Sequence, residues 1–269
     1  MIFRIIAAIT LVSILAAFAP AALFALFGPL GKQILICFFL VFLLSEGILL
    51  FAVLERRAPI FGSISWRGAP GLNRVALTFD DGPNEPYTSQ LLDILDANGI
   101  KATFFLIGQN CEKYPAAVKR LAAEGHEIGN HTWAHEVLPL KPPSLIEDDI
   151  AKTSEVIEKY TGRRPVLFRA PHGWRNPWVN VAARKLGCTP VAWTLGVWDT
   201  ARPGADVIVQ RTLKGVEDGC ILLVHDGRGI EDKADASQLV QALPVIIKKL
   251  RDRGFRFVTL SQMMESGSR

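Results

Sequence analysis

Two adjacent carboxylates stand where a predicted strand gives way to a turn. The stretch LTFDDGPNEP, residues 77–86, begins as a buried strand and has Asp80 and Asp81 just before Gly82 and Pro83. Like charges held this close cannot both stay ionised in a poorly solvated setting unless a cation or a hydrogen-bond donor compensates one of them. A helix N-cap or an Asx-turn would explain the pair without any chemistry. The other polar residues of the chain therefore decide between a turn and a reactive site.

Further polar residues that can take part in chemistry follow other strand-like runs. His131 and His135 stand four residues apart in the segment HTWAH. Two imidazoles and one carboxylate form a three-ligand set that binds a divalent metal and leaves coordination positions open for water and substrate. Two histidines at this spacing are by themselves more often surface or core residues, so the metal interpretation depends on the acidic pair. The remaining polar residues at strand ends are Arg169, Asp199, His225 and Asp226.

Strand-like and helix-like segments alternate through the C-terminal part of the chain. This alternation predicts a parallel sheet covered by helices. Seven repeats indicate a barrel or a distorted barrel, and the alternative of an open doubly wound sheet lacks its usual Gly-rich loop after the first strand. Catalytic groups of parallel barrels lie at the C-terminal ends of strands, which is where the polar candidates fall. The predicted strands are residues 75–79, 102–107, 126–130, 166–170, 189–195, 220–225 and 255–260.

Glycines and a capping pattern mark the predicted helix ends. The helices TSQLLDILDANG and YPAAVKRLAAEG are expected to close at Gly99 and Gly125, because a residue in the left-handed conformation ends many helices. A third helix is predicted to open with the capping box Ser144-x-x-Glu147 and to end near Gly162.

Two long apolar runs precede these repeats. Residues 5–31 carry no charge, and only Glu46 interrupts the run of residues 34–54. Each run is long enough to cross a bilayer as a helix, which takes about 20 residues. A cleaved signal peptide ending at residues 17–19 is the alternative for the first run, but Pro20 disfavours cleavage there. The sequence thus predicts a transmembrane helical hairpin over residues 1–57, a linker over 58–73 and a soluble domain over 74–264.

The basic residues beside the two runs bear on the orientation of this two-pass protein in the cell (inner) membrane. Arg4 precedes the first run, Lys32 lies between the runs, and Arg56 and Arg57 follow the second. The positive-inside rule slightly favours a cytoplasmic catalytic domain. The net charge of +4 gives no case for nucleic-acid binding, and no pattern specifies an oligomeric state. Free, buried thiols are expected in the soluble domain, at Cys111, Cys188 and Cys220, because no Cys-x-x-Cys pair is present.

The soluble part resembles the polysaccharide deacetylase family, the NodB homology domain proteins also known as carbohydrate esterase family 4, from about Arg74 to Met264. The motifs that carry the resemblance are TFDDGP, HTWAH, RAPHG, WTLGVWD and LLVHD, in the family's order. The resemblance implies an α/β fold, a distorted seven-stranded (β/α) barrel of NodB type. It also implies a metal-dependent hydrolase that removes N-acetyl groups from the amino sugars of a polysaccharide or glycan.

The resemblance implies that one carboxylate of the pair binds metal and the other transfers a proton. Asp81, His131 and His135 match the family's metal ligands, and the metal is usually Zn²⁺. Asp80 matches the general base that activates a metal-bound water. The adjacent charges would then have separate tasks.

The resemblance assigns roles to four further residues. Arg169 matches the residue that orients the base, His225 matches the general acid that protonates the departing amine, and Asp199 matches its carboxylate partner. His172 stands where the family commonly has Tyr, beside a backbone N–H implied in oxyanion binding, so substrate fit is expected to differ. In the fourth motif Thr200 replaces the Trp expected after the Asp, so the pocket wall there, and with it the acceptable sugar, is also expected to differ.

Three other functions stay open from the sequence. The same fold could deacylate a lipid-linked sugar precursor, which a cytoplasmic site would suit, or act as an O-acetyl esterase. Family members mostly act on polymers outside the cytoplasm, whereas the basic residues beside the apolar runs favour a cytoplasmic domain. A different class is a catalytically idle membrane protein that binds carbohydrate, and the presence of every acid, base and ligand residue argues against it.

Overall fold

The computed structural model describes residues 28–55, 57 and 59–265. A long helix, α1 (Pro29–Leu54), opens the described chain. At 26 residues and about 1.5 Å per residue it exceeds the about 30 Å hydrocarbon core of a bilayer. By length and composition it is the one helix among the described residues that could span a membrane or serve as a signal anchor. Residues 5–27 of the other predicted span and the candidate cleavage site lie outside the described residues, and residues 29–31 of that span belong to α1. The two-pass hairpin and its orientation therefore stay predictions.

A curled parallel sheet forms the centre of the rest of the molecule. Its strands follow in the order β5-β4-β3-β2-β1-β7-β6, every pairing is parallel, and β8 pairs with β1 as well. The parallel α/β barrel-like fold predicted from the sequence is confirmed. The strands are β1 (Arg74–Gly82), β2 (Thr103–Leu106), β3 (Glu127–Asn130), β4 (Leu167–Phe168), β5 (Thr189–Pro190), β6 (Leu195–Gly196), β7 (Cys220–His225) and β8 (Arg256–Val258).

The predicted strand over residues 189–195 is wrong as a single strand. Its two ends form β5 and β6, which lie at opposite ends of the sheet order, so the chain crosses the gap of the curled sheet at residues 191–194. The backbone N–H of Ala192 donates to Ser65, and that of Thr194 donates to Ile221. Because these groups bond to different segments, the apolar run cannot continue as one strand. The sheet therefore has eight strand segments where seven were predicted.

Helices cover the outer side of the sheet, and their ends only partly follow the sequence signals. Gly99, Gly125 and Gly162 all have positive φ after a helix, as predicted. The capping box at Ser144 is wrong, because the helix already begins at Pro143 and has no side-chain cap; proline at the first helical position has no N–H to cap. The helices after α1 are α2 (Tyr87–Ala97), α3 (Gly108–Lys113), α4 (Pro115–Ala123), α5 (Pro143–Thr161), α6 (Pro177–Lys185), α7 (Ala205–Gly215), α8 (Ser237–Asp252) and α9 (Leu260–Glu265).

The main hydrophobic core lies between the sheet and the helices α2, α7 and α8. Phe79 and Phe104 of neighbouring strands stack there with ring centroids 4.5 Å apart. Cys111, Cys188 and Cys220 are buried and free, which confirms the prediction for the three thiols. This packing makes the strands rigid supports for the residues that follow their C-terminal ends.

The segment between α1 and β1, predicted to be a linker, forms hydrogen bonds with the barrel. Ser65 pairs with Val191 in a parallel bridge, and the Thr194 hydroxyl donates to the carbonyl oxygen of Trp66 at 2.7 Å. The N–H of Gly68 donates to the carbonyl oxygen of Gly219 at 2.8 Å. This segment thus lies beside the gap between β5 and β6.

Candidate active site

A bulge near the end of β1 turns both adjacent carboxylates toward the same place. Neighbouring residues of a regular strand point to opposite faces, so Asp80 and Asp81 would ordinarily diverge. The β1–β2 pairing shifts register here, with Asp80 opposite Phe105 and Gly82 opposite Leu106, and Asp81 has a φ of 74°. A positive φ is uncommon outside glycine, and aspartate is one of the residues that tolerates it. Both carboxyl groups are buried at the C-terminal edge of the sheet, which we call the catalytic edge.

Asp81 forms a compact cluster with two histidines from the loop after β3. Its Oδ1 lies 3.3 Å from Nε2 of His131 and 3.1 Å from Nε2 of His135. The three ligand atoms all lie within 4.8 Å of one another. Oδ1 is buried and has no hydrogen-bond partner in the described structure, while Oδ2 accepts from the backbone N–H of Gly229 at 2.9 Å. These residues fit a divalent metal, because a buried carboxylate oxygen needs a compensating partner.

A hydrogen bond on the far side of the His131 ring fixes the ring's orientation. Nδ1 lies 2.8 Å from the carbonyl oxygen of Arg169. A carbonyl oxygen only accepts, so Nδ1 carries the proton and donates it, and Nε2 keeps its lone pair toward Asp81. A second hydrogen bond of this kind fixes the tautomer of many metal-binding histidines.

The charges around the cluster suit a cation. Burial acts to raise the pKa of Asp81, but its interactions with His131, His135 and His225 hold it well below its usual range. Burial lowers the pKa of His135 to about 4, so its imidazole is neutral at physiological pH. An ionised carboxylate beside a neutral imidazole is the donor set that metal ions prefer.

Asp80 has a different surrounding, although it is the next residue along the chain. Its Oδ1 accepts from Nη1 of Arg169 at 2.7 Å, and its Oδ2 lies 3.7 Å from Nε2 of His131. The Arg169 side chain is fully buried and also donates to the Thr78 hydroxyl and to the carbonyl oxygen of Ala192. Burial lowers the pKa of Arg169, and the Asp80 charge opposes that shift. This ion pair holds the Asp80 carboxylate in place without occupying both of its oxygens.

His225 lies at the end of β7, directly beside Asp80 in the parallel β1–β7 register. Its Nδ1 lies 2.9 Å from Oδ1 of Asp199, and its backbone N–H donates to Oδ2 of the same carboxylate at 2.7 Å. Burial alone would lower the pKa of His225, but the charge and hydrogen bond of Asp199, with the charges of Asp81 and Asp80, raise it to about 10. His225 is therefore protonated at neutral pH. A cleft that Arg202 and Arg228 also line opens beside it.

His172 lies in the short 3₁₀ turn Pro171–Gly173 that follows β4. Its φ is 58°, and its ring contacts that of His135 edge-on at a centroid distance of 4.7 Å and that of Trp174 at 4.9 Å. The backbone N–H groups of Gly173 and Trp174 donate to carbonyl oxygens of their own turn. The structure thus brings all eight predicted site residues to the catalytic edge.

The sequence interpretation missed the residues that support the carboxylates from behind. Asn110 donates to the carbonyl oxygen of Asp81 at 2.8 Å, and a Cβ on Gly227 would lie 2.5 Å from that oxygen. The glycines of HDGRG, directly after the last motif, were the available signal. Asp226 also stands at a strand end, and the sequence indicates no role for it. It is fully buried against the Thr88 hydroxyl, and burial with the charges of Asp81 and Asp80 raises its pKa to about 7.

The fold is a curled parallel sheet covered by helices, and at one edge it holds a candidate Asp-His-His metal site next to a carboxylate and an imidazole from neighbouring strands. The model of the polysaccharide deacetylase family matches residues 67–191. Two curated relatives cover most of the chain. A peptidoglycan-N-acetylglucosamine deacetylase of Bacillus cereus is 38% identical over 208 residues, which is 76% of this chain and 93% of the relative. A chitooligosaccharide deacetylase of Bradyrhizobium sp. is 36% identical over 227 residues, 82% of this chain and 100% of the relative.

A solved structure agrees with these matches. The Bc1960 peptidoglycan N-acetylglucosamine deacetylase, in complex with a benzamide derivative, aligns with a TM-score of 0.71 and 36% identity over 77% of this chain and 95% of its own. The chain belongs to the polysaccharide deacetylase family. The predicted class, a carbohydrate N-deacetylase, is confirmed at the level of the family.

Proposed function

We propose that this protein is a membrane-anchored, metal-dependent hydrolase that removes N-acetyl groups from amino sugars of a glycan. The observation that carries the proposal is the separation of two neighbouring carboxylates. Asp81 lies about 3 Å from two histidine nitrogens, whereas Asp80 is bound to Arg169. One group can thus hold a cation while the other takes a proton. The relatives named for peptidoglycan and chitooligosaccharides support a polymeric or oligomeric N-acetylated substrate.

Asp81, His131 and His135 would hold the metal ion. Two imidazole nitrogens and one carboxylate oxygen are typical of catalytic zinc sites, so Zn²⁺ is the ion that we propose. When bound, the ion supplies Lewis-acid polarisation of the amide carbonyl and lowers the pKa of the attacking water. Gly229 and Asn110 keep the Asp81 carboxylate and backbone fixed for this task.

Asp80 would act as the general base. Its Oδ1 is bound to Arg169, so its Oδ2, on the side of His131, is the atom that accepts a proton from water. The Arg169 guanidinium holds the Asp80 carboxylate in a fixed orientation before the reaction. A positioned proton-transfer group of this kind typically contributes about 10²- to 10⁴-fold to the rate.

His225 would act as the general acid. Asp199 accepts from Nδ1, which leaves the Nε2 proton for the departing amine. The nitrogen of the breaking amide bond needs this proton because it can then leave as a neutral amine and not as an unstable anion. The carboxylate also stabilises the charged imidazolium, as the raised pKa of His225 indicates.

The turn after β4 would bind the oxyanion and one side of the sugar. Since the N–H groups of Gly173 and Trp174 are engaged within the turn, we assign the oxyanion contact to the backbone N–H of His172. The His172 side chain and the neighbouring Trp174 then form part of the substrate-binding wall. Histidine in place of the family's usual tyrosine is expected to affect substrate fit more than the chemical step.

The direct test is acetate release by the purified full chain in detergent, with metal content measured on the same sample. Chitooligosaccharides, peptidoglycan fragments and acetylated xylan separate N-deacetylation from O-deacetylation. The matched negative control is Asp80→Asn. Acetate release from the N-acetylated amino sugars by the wild type, but not by Asp80→Asn, supports the proposal. Release from xylan only would make the protein an O-acetyl esterase, and carbohydrate binding without release by either protein would make it the catalytically idle alternative.

We further propose that residues 1–57 form the anchor, 58–73 the connection and 74–264 the catalytic domain. The hydrogen bonds of Ser65 and Gly68 with the barrel indicate that the connection also stabilises the domain. A chain beginning at Pro59 should therefore unfold at a higher temperature than one beginning at Arg74. Equal melting temperatures would make residues 59–73 a plain spacer.

The side of the membrane requires its own test. The basic residues beside the apolar runs favour a cytoplasmic domain, whereas a peptidoglycan substrate would place it outside. A reporter that is active only after export, fused after Arg269, separates the two. Strong activity of this reporter would exclude a cytoplasmic domain. If this reporter were inactive while a matched reporter that works only in the cytoplasm were active, a domain outside the cytoplasm would be excluded.

A further inference from the structure

The C-terminal end of α1 is bound to the loop that carries His172. The backbone N–H of Arg175 donates to the carbonyl oxygen of Val53 at 3.1 Å, and its guanidinium donates to that of Glu55 at 3.4 Å. Arg175 and Ala52 are each only 1% exposed. Because Arg175 lies two residues after the turn Pro171–Gly173 that follows β4, the last turn of α1 lies near the catalytic edge.

Five large apolar side chains on segments around this contact are about half exposed, from 49% for Trp178 to 58% for Leu140. Single exposed apolar residues are ordinary, but a group of them marks contact with a membrane or a protein. We call this group the edge patch. Its members are Ile60, Leu140, Leu145, Trp178 and Val181.

Polar contacts join the segments that carry the edge patch. Asn180 of α6 donates to the carbonyl oxygen of Phe61 at 2.7 Å, which links α6 to the segment after α1. Asn176, which caps α6, donates to the carbonyl oxygen of Pro139 at 3.3 Å. These bonds place the segments that carry Ile60, Leu140 and α6 beside one another and beside the segment that follows α1.

A basic residue completes the surface. Lys185 at the end of α6 pairs with Glu147 of α5 at 2.6 Å, joining the helix of Leu145 to that of Val181, and its side chain remains 63% exposed. Tryptophan and lysine beside apolar side chains are typical of the membrane interface, where a ring or an ammonium group reaches the headgroups.

We propose that the edge patch rests on the bilayer that α1 crosses, so that the active site works on N-acetylated amino sugars held at the membrane surface. The proposal rests on the proposed deacetylase function and on α1 as a membrane span. A span whose last turn is bound to the domain holds the residues beside that turn at headgroup level. The catalytic edge then faces a substrate whose other end is anchored in lipid, and confinement to the same surface raises its effective concentration.

Membrane contact is tested with a fluorescent probe on the full chain in vesicles of phosphatidylethanolamine and phosphatidylglycerol. Cys37→Ser removes the exposed thiol, and the other three cysteines are buried. A probe is then attached through Val181→Cys or, as the matched control, Val166→Cys. Val166 is 57% exposed and directly precedes β4, at the opposite edge of the sheet.

Spin-labelled lipids are expected to quench the probe at residue 181 at least twofold more than the probe at residue 166. Equal quenching would overturn the proposal. Weak quenching at residue 181 together with a solvent-shielded emission spectrum would mean that residues 1–27 or a second copy of the chain covers the patch, which would overturn it as well.

The substrate class is tested with Val181→Asp and Val166→Asp, neither of which is in the catalytic machinery. The substrates are an N-acetylglucosaminyl polyprenyl diphosphate in vesicles and soluble chitotetraose. Val181→Asp should lower kcat/KM about tenfold or more on the vesicle substrate and leave chitotetraose turnover unchanged, whereas Val166→Asp should change neither.

An equal effect of Val181→Asp on both substrates, or none on either, would overturn the membrane-surface substrate. If the wild type released acetate from neither substrate, the deacetylase function itself would be wrong, while the quenching result would still report whether the patch contacts lipid. The failure of one proposal is thus distinguishable from the failure of the other.

Discussion

The two sides of the site contrast sharply, although adjacent residues of β1 begin both. On the metal side, Asp81 faces two histidine nitrogens and a backbone N–H, and one of its oxygens lacks a hydrogen-bond partner in the described structure. On the proton-transfer side, Asp80 is tied to a buried arginine and lies beside His225. The same residue type therefore lies in two different surroundings, which is why we propose a different role for each carboxylate. This contrast predicts that substitutions on the metal side remove both metal and activity, whereas substitutions on the proton-transfer side remove activity alone.

The largest effect is expected from removing a ligand on the metal side. His131→Ala or His135→Ala should lose bound metal and activity together, by more than the about 10²- to 10⁴-fold that one proton-transfer group contributes. Elemental analysis and acetate release measure the two losses. The control is His126→Gln, a buried histidine outside the cluster whose Nδ1 accepts from the N–H of Ala102. It should keep its metal, and metal loss from the control alone would contradict the ligand assignment.

The complementary change on the proton-transfer side is Asp80→Asn. It keeps the size of the side chain and removes the basic oxygen, so kcat/KM should fall by about 10²- to 10⁴-fold with the metal retained. Acetate release on a sample of known metal content is the measurement. Wild-type turnover by this variant would show that Asp80 is not the base, and metal loss would show that the two sides are not separate.

The pH profile tests the acid of the same side. Asp80 must be ionised and His225 must carry its proton, so the profile of kcat/KM should be bell-shaped. Since the pKa of His225 is raised to about 10, its alkaline limb should lie well above pH 7. His225→Ala should lower the rate about 10²-fold or more and remove that limb. Persistence of the limb would assign it to another group, such as His172.

The smallest effect is expected from Asp199→Asn, which weakens the partner of the acid. Loss of the carboxylate charge should lower the pKa of His225 and move the alkaline limb to lower pH, with a smaller loss of rate than the about 10²-fold expected for His225→Ala. The pKa of His225 is higher in the folded protein than its value of about 6.5 in the unfolded chain. Protonated His225 therefore contributes fully to the stability of the folded protein below about pH 6.5, and this contribution is lost as the pH rises toward 10.

Unfolding of wild type and Asp199→Asn at pH 6 and pH 10 measures this difference. The variant should be less stable at pH 6, and the gap should narrow at pH 10. A gap that is independent of pH would mean that Asp199 acts on His225 only through packing.

Local sequence patterns were enough to predict the parallel α/β fold and the glycines that end three helices. Both depend on neighbours in the chain: alternating apolar periods define strands and helices, and Gly99, Gly125 and Gly162 adopt a backbone conformation that other residues resist. The roles of the polar residues at the strand ends came from the family resemblance and stay predictions. The polar residues were predictable because parallel strands bring their C-terminal ends to one edge. Residues far apart in sequence, such as Arg169 and Asp80, 89 positions apart, meet there.

Contacts between distant segments decided the rest. The apolar run of residues 189–195 became two strands because its backbone groups bond to Ser65 and Ile221 on either side of the gap. The bulge at Asp81, which lets two adjacent carboxylates share one site, depends on the register with β2. The binding of α1 to Arg175 joins segments more than 100 residues apart. A sequence period specifies which face of an element is apolar, but only the packed structure determines which partner covers that face.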